Sequence, residues 1–230
     1  MTEPKTTVSG FEARIMGVPD WIEVIGKVYG SKESEHEYAK FDAARTALGL
    51  ACAEREKEVN TLFWKRSHPV CHIRLERAAF LAPLVEWATS RDGTTRELVL
   101  FENAWTEYLH LTFLGTSDAI VLPLGFSSPL PVGVSGRATP VPVCSAQRLL
   151  REIEIANTAL NIEKTLRNPT LPDFFKAGRR EVIHLEKKEG YDDVFWSKFA
   201  ANVVRHLAKR CVDHNLPLII SDRSVDFGAA

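Results

Sequence analysis

No stretch of this 230-residue chain reaches the roughly 20 consecutive apolar residues needed to cross a bilayer. The opening residues, Met1-Thr2-Glu3-Pro4-Lys5, lack the apolar core of a secretory leader. Cysteine is scarce: Cys52, Cys71, Cys144 and Cys211 follow neither a disulfide framework nor a Cys-x-x-Cys knuckle. Free thiols in a reducing compartment are therefore expected, and with them a soluble, cytoplasmic protein. An excess of one charge is also missing, since 29 Lys and Arg stand against 30 Asp and Glu. That balance excludes a protein that coats nucleic acid by bulk electrostatics. No glycine-rich phosphate loop, Gly-x-Ser-x-Gly elbow or dinucleotide fingerprint occurs, which removes the commonest nucleotide-binding and hydrolase classes.

What is present is an ordinary globular composition, 45% hydrophobic and 26% charged, long enough to bury a core without a disulfide or metal staple. Ser34 and Glu37 have the spacing of a capping box. Phe41, Ala44, Leu48, Ala51 and Cys52 follow on one face, so the spacing predicts a helix over about Ser34–Val59. From Val70 the period changes to two. Cys71, Ile73 and Leu75 alternate with polar residues, Asp92-Gly93 signals a hairpin, and Leu109, Leu111 and Phe113 alternate again before the apolar run Ala119–Leu124. Residues 70–124 read as an antiparallel meander of four or five strands, with a short helix over Ala78–Trp87 as the competing reading because of Pro83. Four prolines and three glycines make 125–143 a loop, within which Ser135-Gly136 could turn a small hairpin.

The last third is the most legible. A helix is expected over about Ser145–Leu166, with Leu149, Leu150, Ile153, Ala156 and Leu160 as its stripe and Glu152 and Glu163 at the stripe's edge. A short extended piece, Leu171–Phe175, leads to a strand over Glu181–Lys188. A helix over Asp192–His214 follows, burying Trp196, Phe199, Val203, Leu207 and Cys211, and then a central, parallel apolar strand at 216–220. Strand, helix, strand is a right-handed crossover unit. The fold class is α+β: residues 1–124 as helix plus meander, 125–143 as loop, and 144–230 as an α/β module packed with the first part into one globular unit. Residues 1–144 carry 15 Lys and Arg against 18 Asp and Glu, whereas 145–210 carry 13 against 9. The positive balance of the module suits an anionic partner.

Pro172-Asp173, twelve residues, then Glu186-Lys187-Lys188 is similar to the signature of the PD-(D/E)xK nuclease superfamily, which includes restriction endonucleases. The resemblance covers about residues 145–222. It implies a core of helix, three strands, helix and strand, with the acid-x-Lys element closing the third strand. By that resemblance Asp173 and Glu186 would hold Mg²⁺, a hard cation that wants oxygen ligands. Lys188 would position the attacking water or offset developing charge, and Glu152 would be a helix-borne auxiliary. Lys198, Arg205 and Lys209, on one exposed face of the next helix, would meet DNA phosphates. The implied activity is a metal-dependent phosphodiesterase acting on DNA, or a nuclease-like fold without activity.

Two other constellations compete. His68, Cys71 and His72 with Cys211 and His214 are zinc-ligand types, and a cysteine nucleophile beside a histidine is the second; buried structural thiols are the plainer reading of both. The rival function is a non-catalytic interaction protein, of the immunity or accessory-subunit type, binding a protein partner through the meander and the proline-rich loop.

Overall fold

A computed structural model describes residues 11–75, 81–91, 108–114, 118–160, 181–183 and 193–221. In chain order the elements are β1 (Phe11–Ile15), α1 (Val18–Tyr29), α2 (Ser31–Ala51), a 3-10 turn (Ala53–Arg55), α3 (Glu56–Trp64), β2 (Cys71–Leu75) and α4 (Ala82–Arg91). Then come α5 (Leu109–Leu114), β3 (Ala119–Leu122), β4 (Leu130–Val132), β5 (Val141–Ser145), α6 (Ala146–Leu160), β6 (Glu181–Ile183), α7 (Asp193–His214) and β7 (Leu218–Ser221). The fold is α+β: among the described residues the strands form one mixed seven-stranded sheet in the order β4-β5-β3-β7-β1-β2-β6.

Helices cover both faces of this sheet. Ile120, Leu122, Val143 and Ile219 pack with Trp21, Ile25, Phe41, Leu48 and Phe63 of α1–α3. Ala13, Ile15, Ile73, Val121, Leu218 and Ile220 pack with the apolar stripes of α4–α7. This two-sided burial explains why β3 and β7 are unbroken apolar runs: alternate residues enter different cores. Trp196, Phe199, Val203, Leu207 and Cys211 are buried on α7 as their spacing predicts. Among the described residues no helix is long and apolar enough to cross a membrane.

The structure corrects several local expectations. The helix expected over 34–59 is two helices, broken at Cys52 (φ −131°, ψ 56°). The Ser34–Glu37 capping box is not made. Gly30, at φ 95°, starts α2, Ser34 Oγ donates to the Ser31 carbonyl, and Glu37 turns inward. The meander expected over 70–124 is not formed either: 82–91 and 109–114 are helical, and β2 and β3 are separated by β7 and β1. In α5 every residue from His110 to Leu114 is buried, so surface amphipathicity cannot mark the helical period, and alternating leucines imitate a strand. The Asp92-Gly93 hairpin lies outside the described residues.

Residues 125–143 carry β4 and the start of β5, paired antiparallel with Val132 opposite Val141. Gly136 takes φ +80° in the connection, so the small hairpin anticipated at Ser135-Gly136 forms. β7 is central, as expected, but antiparallel to both β1 and β3. Its apolar run reports burial on two faces, not strand direction. β1 and α1 have no counterpart in the expectations from sequence, although Pro19 in the first turn of α1 and Trp21 and Ile25 one turn apart are a usable helix signal.

Candidate functional site

Asp173, Glu186, Lys188 and Glu163 lie outside the described residues. Of the strand expected over Glu181–Lys188, Glu181–Ile183 are described, as β6. Among the described residues β6 is an edge strand and pairs parallel with β2, while β1 is antiparallel to both β2 and β7. β2, β6 and β7 therefore run the same way, with their carboxyl sides toward the amino side of β1. In open α/β sheets, ligands bind outside such carboxyl ends. The register across this end runs Ser221 to Glu12 to Arg74 to Val182, and Glu186 follows the last residue of β6 by three positions.

Glu12 and Arg14, each only 1% exposed, occupy this part of the sheet. Because side chains alternate along a strand, they face α1 and α2 while Ala13 and Ile15 enter the opposite core. The Arg14 guanidinium donates to Glu12 Oε2 and lies 4.9 Å from the centre of the Trp21 ring. His72 Nε2 is 3.8 Å from Glu12 Oε1. The polar path continues away from the strands. Trp21 Nε1 donates to Glu37 Oε2 at 2.7 Å, Lys40 Nζ is 2.6 Å from that oxygen and 3.5 Å from Asp118 Oδ1, and Arg137 closes on Asp118 from the β4–β5 connection. Taking such ions out of water costs several kcal/mol each before pairing repays it, and apolar side chains of like volume often do as well. Buried charge on the strands, which is costly to bury and often no better than apolar side chains, is thus a functional candidate on physical grounds. It was not visible in Phe11-Glu12-Ala13-Arg14-Ile15, an alternation that reads as a half-exposed strand because nothing local says that helices cover its polar face.

Glu152 is placed elsewhere. It is buried on α6 and accepts the backbone N–H of His110 at 3.0 Å and of Leu111 at 2.8 Å, capping the first turn of α5. Burial pushes its pKa up to about 8, against the opposing pull of those two N–H groups and of Arg148. His110 is bound in turn to the end of β5: its Nδ1 accepts the Ser145 N–H at 3.1 Å, and its Nε2 is 3.2 Å from the Ser127 carbonyl. Four strands separate β5 from β6, about 24 Å at ~4.8 Å per spacing. Glu152 therefore cannot join a site on β6, and its role as an auxiliary there is withdrawn.

The cationic face anticipated on α7 is not formed as drawn. Lys198 is buried, Arg205 half-buried and Lys209 exposed, because residues 196–201 are buried around the whole helix. His206 is held down to about 4, by burial first and then by Arg210 and Lys209.

The Cys144 and Cys211 thiols are buried. Cys144 Sγ is 3.8 Å from the His110 carbonyl, not its ring, and burial pushes the thiol up. Cys211 Sγ donates toward the Val121 carbonyl while His214 is exposed, so the proposed zinc pair diverges. Among the described residues no group of three or more His, Cys, Asp or Glu side chains is arranged to hold a metal. Comparison with protein-family models, curated proteins and solved structures gave no match.

Proposed function

We propose that the protein is a Mg²⁺-dependent phosphodiesterase acting on DNA, with its reaction site at the carboxyl ends of β2, β6 and β7. The observation that carries this reading is topological. Among the described residues β6 lies at the sheet edge, parallel to β2, and Glu186-Lys187-Lys188 begins three positions after its last residue. The return through α7 to β7, parallel to β6, supports the same core. In this reading Asp173 and Glu186 supply oxygen ligands, and Lys188 orients the attacking water and offsets charge on the phosphate in the transition state. A bound Mg²⁺ would polarise the phosphodiester and lower the pKa of that water. Arg205 and Lys209 remain as candidate phosphate contacts. The test is nicking of supercoiled and single-stranded DNA with Mg²⁺, Mn²⁺ or EDTA. Metal-dependent nicking that Glu186→Ala abolishes is the expected result.

A non-catalytic interaction protein is the second reading, and one observation favours it. Val28, Tyr38, Leu50 and Trp64 are exposed on the α1–α3 layer, with the Tyr38 and Trp64 rings stacked at 5.4 Å. Absence of nicking by folded protein with either metal would favour this reading.

A further inference from the structure

We infer that the connection between β4 and β5 is a strap latched to the rest of the protein by Arg137, and that Lys40 relays the position of this strap to Trp21 on α1. The phosphodiesterase reading uses none of these residues, so the two can fail separately.

The local sequence builds the strap. Val132 and Val134 are buried in the core shared with α1–α3, whereas Gly133, Ser135 and Gly136 are exposed. The Arg137 N–H donates to the Val134 carbonyl at 3.1 Å and closes a turn. Gly136, within that turn, has φ +80°, a conformation that glycine adopts without steric cost. The turn aims Arg137 inward, and its guanidinium lies 2.5 Å from Asp118 Oδ2. Ala138, Thr139 and Pro140 beyond it are exposed again. Val134 and Arg137 thus hold down the tip, and a segment with so little burial sits at the low end of local stability.

Lys40 is the element with two positions. It is buried, 2.6 Å from Glu37 Oε2 and 3.5 Å from Asp118 Oδ1. With the strap closed, Arg137 is nearer to Asp118 than Lys40 is, and Lys40 stays with Glu37. When the strap lifts, the buried Asp118 loses Arg137. An under-paired buried charge is costly, so Lys40 is drawn across to it. Glu37 Oε2 also accepts the Trp21 Nε1–H at 2.7 Å, so withdrawal of Lys40 alters the hydrogen bond of the indole. The Trp21 ring lies 4.9 Å from the Arg14 guanidinium. A contact that lifts the strap is thereby felt on β1, four places along the sheet from β4.

The experiment is nuclear magnetic resonance on wild type, Arg137→Gln and Gly136→Val. The second variant disturbs the turn without removing a charge, which keeps the test open if the first does not fold. In both, hydrogen exchange at the amide of residue 137 should be at least ~10-fold faster than in wild type, and the Trp21 indole N–H resonance should move. Those of Trp87 and Trp196, in the core on the other face of the sheet, should not. In a Lys40→Met/Glu37→Gln background, opening the strap should no longer move Trp21. Exchange within about twofold of wild type in the folded variants would overturn the latch. A Trp21 resonance that stays in place while the strap opens, or that still moves in the Lys40→Met/Glu37→Gln background, would overturn the relay.

Discussion

Replacing His110 by Asn should cost most at neutral pH and much less in acid. His110 is 1% exposed. Its Nδ1 is an acceptor for the Ser145 N–H, so the neutral ring carries its proton on Nε2, toward the Ser127 carbonyl. Burial holds its pKa down to about 4 from 6.5. Between those two values the unfolded chain binds a proton that the folded one refuses. Stability therefore falls as pH drops through this window and levels off below it. At about 1.4 kcal/mol per pKa unit, the loss ascribed to His110 is of the order of 3 kcal/mol. Asn can retain the Ser145 acceptor, but loses the second bond and leaves a small cavity, about 2–3 kcal/mol at pH 7. Urea denaturation of both proteins at pH 7, 5.5 and 4 checks this. The gap between them should shrink toward zero at pH 4, because only wild type has the His110 proton to take up. An equal gap at all three values would refute the locked, neutral tautomer.

Two further outcomes follow from the buried charges. Lys40→Met would remove the buried cation that Glu37 and Asp118 share, with Arg137 still paired to Asp118, at a cost of about 3–5 kcal/mol. Adding Glu37→Gln should recover part of that loss in urea denaturation. Glu152→Gln should behave oppositely to His110→Asn with pH. The folded-state pKa of Glu152 is raised, to about 8, so its contribution is fully present below about 4.5 and is lost as pH rises through 8. Melting temperatures should show the Glu152→Gln protein less stable than wild type at pH 5, with the difference narrowing toward pH 8.5. Its nicking rate should match that of wild type.

The C-terminal helix was legible because Trp196, Phe199, Val203, Leu207 and Cys211 repeat at helical spacing, and α7 buries that stripe. β2 and β3 were legible from a period of two and from a short apolar run. α5 was not, because its surroundings bury it entirely and leave no polar face to set a period. The break at Cys52 was hidden for a related reason. Charges alternate from Glu54 to Glu58 and suit a solvated helix, whereas Arg55 reaches the Gly125 carbonyl and ties the turn to the other half of the chain. The candidate site divides in the same way. Glu152 could be placed on its helix from spacing alone, but its partners, 41 and 42 residues away in the chain, could not. Glu12 and Arg14 became candidates only when α1 and α2 were seen to cover them.

Nicking of supercoiled DNA by the purified wild-type protein, in Mg²⁺ and in EDTA, with Glu186→Ala beside it, tests the central claim most directly. The account predicts cleavage in Mg²⁺ that EDTA stops and Glu186→Ala lacks. Folded wild-type protein that leaves the DNA intact in Mg²⁺ and in Mn²⁺, or a Glu186→Ala protein that cuts as fast as wild type, would contradict it.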